Sequence, residues 1–308
     1  MAAVARIDPK DVFTSEEWAR FSKRSSWMGL ACVAGAWGLI FIAGAMFVMW
    51  PNPLTFVLAV MLIGARQLGL AILMHDAAHG ALHPNLKLND WVGEWLCAAP
   101  VGVRLHAYRD YHLKHHKYTE QPEDPDLVLS APFPITRASL FRKIVRDLTG
   151  QTFIKQRGMQ LFGNLRQGQI VNPATAHFLI VNALMLAAVA LAGYWWTYFA
   201  LWLLPMATWY PLVTRLRNIA EHACVETRDD PFSHARTTLA NVFERLFIAP
   251  YWVHFHGEHH AFMHVPCYRL ERLHGNLMDK GFWARMHISP GYFSVLREAS
   301  SKPAALPA

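Results

Sequence analysis

The apolar positions of this chain are gathered into long runs rather than spread with an amphipathic period. Residues 27–50 form one unbroken run with a tryptophan at each end. Residues 53–74 form a second, broken mainly by Arg66 and Gln67. A third run (178–192, long enough if it begins near Asn172) and a fourth (194–213) are separated only by Gly193. A helix needs roughly 20 residues to cross a hydrocarbon core, so the pattern predicts four membrane-spanning helices. Arg66, in mid-span, has to face the bundle interior, a water-filled pocket or a structural partner, because an unpaired charge is costly there.

Two shorter elements lie between the second and third runs. Residues 91–103 are apolar apart from Glu94 but too short to span, which fits either a re-entrant segment or a buried core helix. Residues 137–148 place Leu140, Phe141, Ile144, Val145 and Leu148 on one helical face, with Arg142, Lys143 and Arg146 interspersed. That pattern predicts a basic amphipathic helix, lying on the membrane or packed on the rest of the chain. The expected fold class is all-α: an integral membrane protein with four transmembrane helices and a cytoplasmic helical cap. A single domain covers residues 27–300, after an N-terminal segment 1–26 and before a flexible tail 301–308.

Composition supports the membrane class: 53% of residues are hydrophobic and only 17% charged, outside the range of an ordinary soluble enzyme. Arg6, Lys10, Arg20, Lys23 and Arg24 precede the first run, and more cations lie between runs two and three and after run four. The connections at residues 51–52 and around Gly193 carry none. The positive-inside rule therefore puts both termini and the middle loop in the cytoplasm, as for a multi-pass protein of a bacterial inner membrane. A mixed-charge leader before so long an apolar run is not a secretory signal. The net charge of +7 is assigned to loops facing anionic lipid, not to nucleic acid. The four cysteines include no CxxC pair, so neither disulfides nor a zinc ribbon are expected.

Candidate chemistry lies just outside the apolar runs. His75 and His79 follow run two, His112, His115 and His116 lie in the middle loop, and His256, His259 and His260 lie in the C-terminal third. Asn218 and His222 follow run four. Helical residues three and four apart share a face, so each cluster can aim its imidazoles at one point. Nine histidines are too many for one ion and suit two, and a thiolate-free imidazole set suits iron, copper or zinc. Asn218 offers a neutral oxygen, either through water or as a hydrogen-bond partner. Ligand histidines need acceptors behind them to fix the tautomer, and Asp76, Asp110, Asp124, Asp126, Glu221 and Glu258 lie beside the clusters. His83, His106, His254, His264 and His274 break the spacing and are read as hydrogen-bonded cap residues, with His177, His234 and His287 as bystanders.

The boxes HDAAH, HLKHH and HGEHH, spaced across four apolar runs, resemble the membrane fatty acid desaturase and hydroxylase superfamily. Flanking text agrees: HGALH from His79, EDPD from Glu123 and HVPCYRL from His264. The resemblance implies a non-haem centre of two iron ions in the cap, with O2 as co-substrate. Its ligands would be His75, His79, His112, His115, His116, His222, His256, His259 and His260, with Asn218 as a water-mediated ligand. It implies hydrogen-atom abstraction from an unactivated C–H bond of an acyl or other lipid chain, giving an alkene or an alcohol. The three-residue spacing of the first box leans towards acyl-lipid desaturases, or carotenoid ketolases and hydroxylases. No HPGG haem motif is present, so electrons are expected from an external ferredoxin-, rubredoxin- or cytochrome-type carrier and its NAD(P)H reductase. A hydroxylase or ketolase on the same scaffold is the nearest alternative. A metal transporter or haem-carrying subunit would place histidines at mid-membrane, and a zinc peptidase would show HExxH.

Overall fold

The computed structural model describes residues 3–166, 168, 172–225 and 230–303. Helix α1 (Ser15–Ser22) opens on a capping box between Thr14 and Glu17, then Trp27 leads into α2 (Met28–Met49). The chain reverses at residues 50–52, where Asn52 accepts hydrogen bonds from the N–H groups of Leu54 and Thr55 to start α3 (Pro53–Ala78). Pro53 sits in the first turn, where its missing N–H costs nothing. Among the described residues, α2 and α3 are the two helices long and apolar enough to cross a membrane. Helix α3 has 26 residues, about 39 Å of rise, longer than a hydrocarbon core of about 30 Å, and its last turn carries His75.

From Ile63 onwards α3 is buried by the rest of the chain. Gly64 and Gly69 permit this: a Cβ on either would lie 2.7 Å from Trp209 or from the Tyr251 ring. Among the described residues Arg66 has no carboxylate partner. Its guanidinium donates to the backbone oxygen of Leu246 at 2.8 Å and lies over the Tyr251 ring. Gln67 donates to the oxygen of Trp202 at 2.8 Å.

Two π-helical segments interrupt the apolar stretches, each just ahead of a proline. Helix α4 (Leu86–Val92) runs into a π segment at Gly93–Ala98, before Pro100. The second, Tyr198–Leu203, precedes Pro205. A proline cannot donate to the carbonyl four residues back, and the wider turn absorbs the defect. Residues 91–103 are thus the buried alternative: most of the π segment packs on α3, while Trp91 and Leu96 face outwards. Buried Glu94 pairs with Arg104 at 2.6 Å and accepts the Leu105 N–H at 2.8 Å. It also meets His177 Nδ1 at 2.6 Å, so His177 is a tether rather than a bystander.

Helix α5 (Leu105–Tyr118) carries the second histidine cluster. Helix α6 (Arg137–Leu148) begins and ends at the expected residues, with Leu140 buried and Phe141, Val145 and Leu148 exposed. Helix α7 (Gln151–Arg166), which the apolar pattern does not single out, exposes Ile154, Met159 and Phe162. The third apolar run forms α8 (Pro173–Leu191), capped by Asn172. The fourth is not one regular helix: after the π segment it breaks at Thr208 and restarts as α9 (Trp209–His222).

The C-terminal third adds α10 (Val242–Phe247), α11 (His256–Ala261), α12 (Leu270–Asp279) and α13 (Tyr292–Ala299). It also departs from an all-α fold. Strand β1 (Arg236–Thr238) pairs in parallel with β2 (His287–Ser289), Thr237 opposite Ile288. The beginning of the expected tail is pinned, since Ser301 bridges to Thr136 and the Lys302 N–H reaches Ile135. Residues 304–308 of that tail lie outside the described residues.

Candidate metal centre

Four helices bring the histidines together. Helix α3 ends on His75 and His79, α5 presents His112, His115 and His116 on one face, α9 ends on His222, and α11 presents His256, His259 and His260. The nine rings divide into two groups. His75, His79, His112, His116 and His259 form one, and His115, His222, His256 and His260 the other. Within each group, one nitrogen from every ring lies within 4.8 Å of all the rest. Clusters two and three contribute to both groups, because His115 and His116 point to different centres although adjacent in sequence.

In seven of the nine rings the facing atom is Nε2. His116 Nε2 lies 2.9 Å from His112 Nε2 and 3.0 Å from His259 Nε2. His222 meets His256 at 3.0 Å, and His115 meets His260 at 3.2 Å. A metal–nitrogen bond of about 2.1 Å puts neighbouring ligands about 3 Å apart and opposite ones about 4 Å apart. Both groups have this spacing. Both nitrogens of His79 and Nε2 of His75 are buried without a hydrogen-bond partner, an arrangement that otherwise costs free energy. The donor set and its spacing fit a bound cation in each group.

Burial, followed by repulsion from neighbouring imidazoles, holds His112, His116, His256, His259 and His260 well below the usual histidine range. Burial brings His79 down to about 3. Neutral imidazoles keep the lone pairs that a metal requires.

Behind the rings, the six candidate carboxylates separate. Asp124 takes His115 Nδ1 at 2.8 Å, with Asp126 at 3.8 Å. Glu221 lies 3.3 Å from His256 Nδ1. The others are turned away. Asp110 is exposed on α5, two residues before His112 and so on the opposite face. Glu258 has the same offset from His256 and instead bonds Thr237 at 2.6 Å and His274 at 2.5 Å. Asp76 stays 4.0 Å from His75 Nδ1 and accepts the Cys267 N–H at 2.9 Å, tying the first box to the text after the third.

Three contributors are absent from the sequence reading. Glu120, in a left-handed turn after α5 (φ 58°), reaches to 3.7 Å from His222 Nδ1. Arg217 donates to Glu221 and so supports the carboxylate behind His256. Tyr108 stacks on His112 at 5.1 Å. Their nearest signal is helical offset, Arg217 to Glu221 and Tyr108 to His112 both being i,i+4. Asn218 lines a small cavity of about 20 Å³ with His115, His222, His256 and Glu221. A second cavity, about 210 Å³, is lined by His116, His260 and His264 together with Arg6 and Trp18. His83 and His254 are hydrogen-bonded to backbone oxygens of Ser26 and Thr238.

Fold and site together define a mostly helical, histidine-rich protein with two helices long and apolar enough to cross a membrane and two histidine groups that could each hold a metal ion. The family profile described as "Fatty acid desaturase" matches residues 51–289, and the chain belongs to that family. It is similar to a dihydrorhizobitoxine desaturase of Bradyrhizobium elkanii, 26% identical over 76% of this chain and 71% of the relative. It is also similar to an sn-1 oleoyl-lipid 12-desaturase of Synechocystis, 23% identical over 90% and 83%. An Arthrospira platensis protein of that same description is 37% identical over 20% of this chain and 17% of its own length. All three relatives are desaturases, one named for dihydrorhizobitoxine and two for an oleoyl lipid.

Proposed function

We propose that this chain is an O2-dependent acyl-lipid desaturase in which two iron ions are held by the nine histidines. The observation that carries the reading is the division of the nine rings into groups of five and four, one nitrogen of each at ligand spacing. Bound iron supplies the oxidising power to remove hydrogen from an unactivated C–H bond. The chain's own residues do the rest. Asp124 accepts the Nδ1–H of His115, and Glu221 lies beside Nδ1 of His256 at 3.3 Å, which leaves each Nε2 lone pair free to face inwards. Arg217 holds Glu221 in place and offsets part of the burial that raises its carboxyl to about 8. The cavity beside Asn218 has room for one water, since a water needs about 10–15 Å³, and that supports Asn218 acting through water. Burial of the rings excludes bulk solvent from the oxidising site.

The same reading includes four crossings, with α8 and the interrupted run 195–213 as the third and fourth, and both termini and the histidines on the cytoplasmic side of a bacterial inner membrane. It includes an external one-electron carrier reduced through NAD(P)H. The test is mass spectrometry of lipids from cells expressing the chain, against a His259→Ala control. Loss of two hydrogens from an acyl species, absent in the control, supports desaturation. Gain of one oxygen would replace it with hydroxylation at the same site.

A further inference from the structure

The segment between β1 and α11 offers a second membrane element that no apolar run announces. Exposed tryptophans, Trp27 and Trp50, bracket α2. Its 22 residues rise about 33 Å, close to a hydrocarbon thickness of about 30 Å. The two rings therefore mark the interfaces. Tyr251 donates its hydroxyl to the oxygen of Cys32 at 2.9 Å, and Cys32 lies about 7 Å inside Trp27 at 1.5 Å per residue. The same Tyr251 ring fills the notch left by Gly69 of α3.

Deeper contacts follow. Arg66, about one turn further into the membrane along α3, donates to the oxygen of Leu246. Trp209, packed on Gly64, donates its indole N–H to the oxygen of Phe247 at 3.1 Å. Residues 246–251 thus meet residues 64–69 of α3, directly or through Trp209, inside the Trp27 boundary. Irregular backbone at that depth needs its carbonyls satisfied by protein. Arg66 and Trp209 supply that, and the same contacts account for the mid-span cation.

The outer surface of the segment is apolar and open. Val242 is 74% exposed and Phe243 75%, and Phe293, adjoining through the Tyr292 N–H to Glu244 at 2.8 Å, is 80% exposed. The polar rim lies towards α12, where Glu271 meets Arg245 at 3.8 Å and the Trp252 indole at 3.0 Å. We infer that residues 241–252 form a re-entrant segment, clamped by Arg66, that enters the bilayer from the histidine-bearing side and presents Val242, Phe243 and Phe293 to lipid acyl chains. The contacts of this segment with Cys32 of α2 and Arg66 of α3, both inside the Trp27 boundary, select lipid as the occupant of its open apolar side.

The test is spin-label accessibility on the full chain in phosphatidylcholine–phosphatidylglycerol vesicles. Phe243→Cys is compared with Phe41→Cys on α2 and with Lys114→Cys on the exposed face of α5, after subtracting the signal of the unsubstituted protein. The expected ratio of O2 to nickel-chelate relaxation at position 243 matches position 41 and exceeds position 114 several-fold. A ratio equal to position 114 would overturn the inference. So would label–label broadening at position 243 that disappears on dilution with unlabelled chain, because a second copy would then cover the patch. In a second variant, Arg66→Met with its helix content retained, the ratio at position 243 falls towards the aqueous value. An unchanged ratio would remove Arg66 from the clamp.

Discussion

Asp124 and His115 meet through a 2.8 Å contact between Oδ1 and Nδ1, both side chains buried. The carboxylate does not arrive alone. It accepts the N–H groups of Glu120 at 2.9 Å and Asp126 at 2.8 Å, so the turn after α5 holds it against the ring. His115 consequently directs Nε2 towards His260. Replacing Asp124 by Asn keeps the shape but removes the charge and leaves an amide that can favour the wrong tautomer. Losing such an outer partner costs about 10–100-fold in metal affinity. We expect an iron-binding titration of Asp124→Asn to show a loss of that size, while Asp110→Asn, altering an exposed carboxylate, binds like the parent.

Close approach of α9 to α3 rests on Gly64. A methyl group there would sit 2.7 Å from the Trp209 Cβ, an atom fixed to the backbone and unable to swing aside. Overpacking of this kind costs about 1–3 kcal/mol. Gly64→Ala is expected to lower the melting temperature in detergent, and to weaken the group that His222 joins, because α9 carries that ring. Gly38→Ala on α2, with nothing within 4 Å of the added carbon, is expected to melt like the parent.

Acid should dismantle the apo-protein in a defined direction. The buried imidazoles have folded-state values below their ordinary value of about 6.5. The unfolded chain therefore binds more protons as pH falls beneath about 6.5, and stability declines with it. The loss continues until the folded values are reached, about 3 in the case of His79. Above pH 6.5 these groups contribute no slope. Chemical denaturation of metal-free protein at pH 7.5 and 5.5 is expected to show a lower midpoint at the acid end, with several protons taken up on unfolding. A pH-independent midpoint over that interval would contradict burial of neutral rings.

Much of the site is legible in the sequence because its chemistry is local. HxxxH and HxxHH describe one face of one helix, and a helix delivers that face wherever it docks. The same rule rejects Asp110 and Glu258, each two residues from a box histidine and so behind the helix. What the spacing cannot carry is which ring joins which group. His115 and His116 separate only because α5 lies between α3 on one side and α9 on the other. Glu120 is equally hidden, since a left-handed turn brings it back beneath His222. The apolar runs locate α2, α3 and α8 but not the π segments, whose cause is proline chemistry. Nor do they reveal the depth of residues 241–252, which depends on Arg66 and Trp209, far away in sequence.

The unequal division of the histidines leads to a stoichiometric prediction. Five rings surround one position and four the other, and each group draws on three helices. His79 belongs to the first group alone and His256 to the second alone. Removing His79 leaves four imidazoles, still a workable set, in a group whose nearest recorded carboxylate among the described residues is Asp76, 4.0 Å from His75. Removing His256 leaves three rings and strands Glu221 and Arg217 without the imidazole they support. The second group should therefore be the more fragile. Metal analysis of reconstituted protein is expected to give two irons per chain for the parent, between one and two for His79→Ala, and close to one for His256→Ala. A parallel loss of both irons in His256→Ala would mean that the groups fill cooperatively, and a full complement in both variants would refute the ligand assignment.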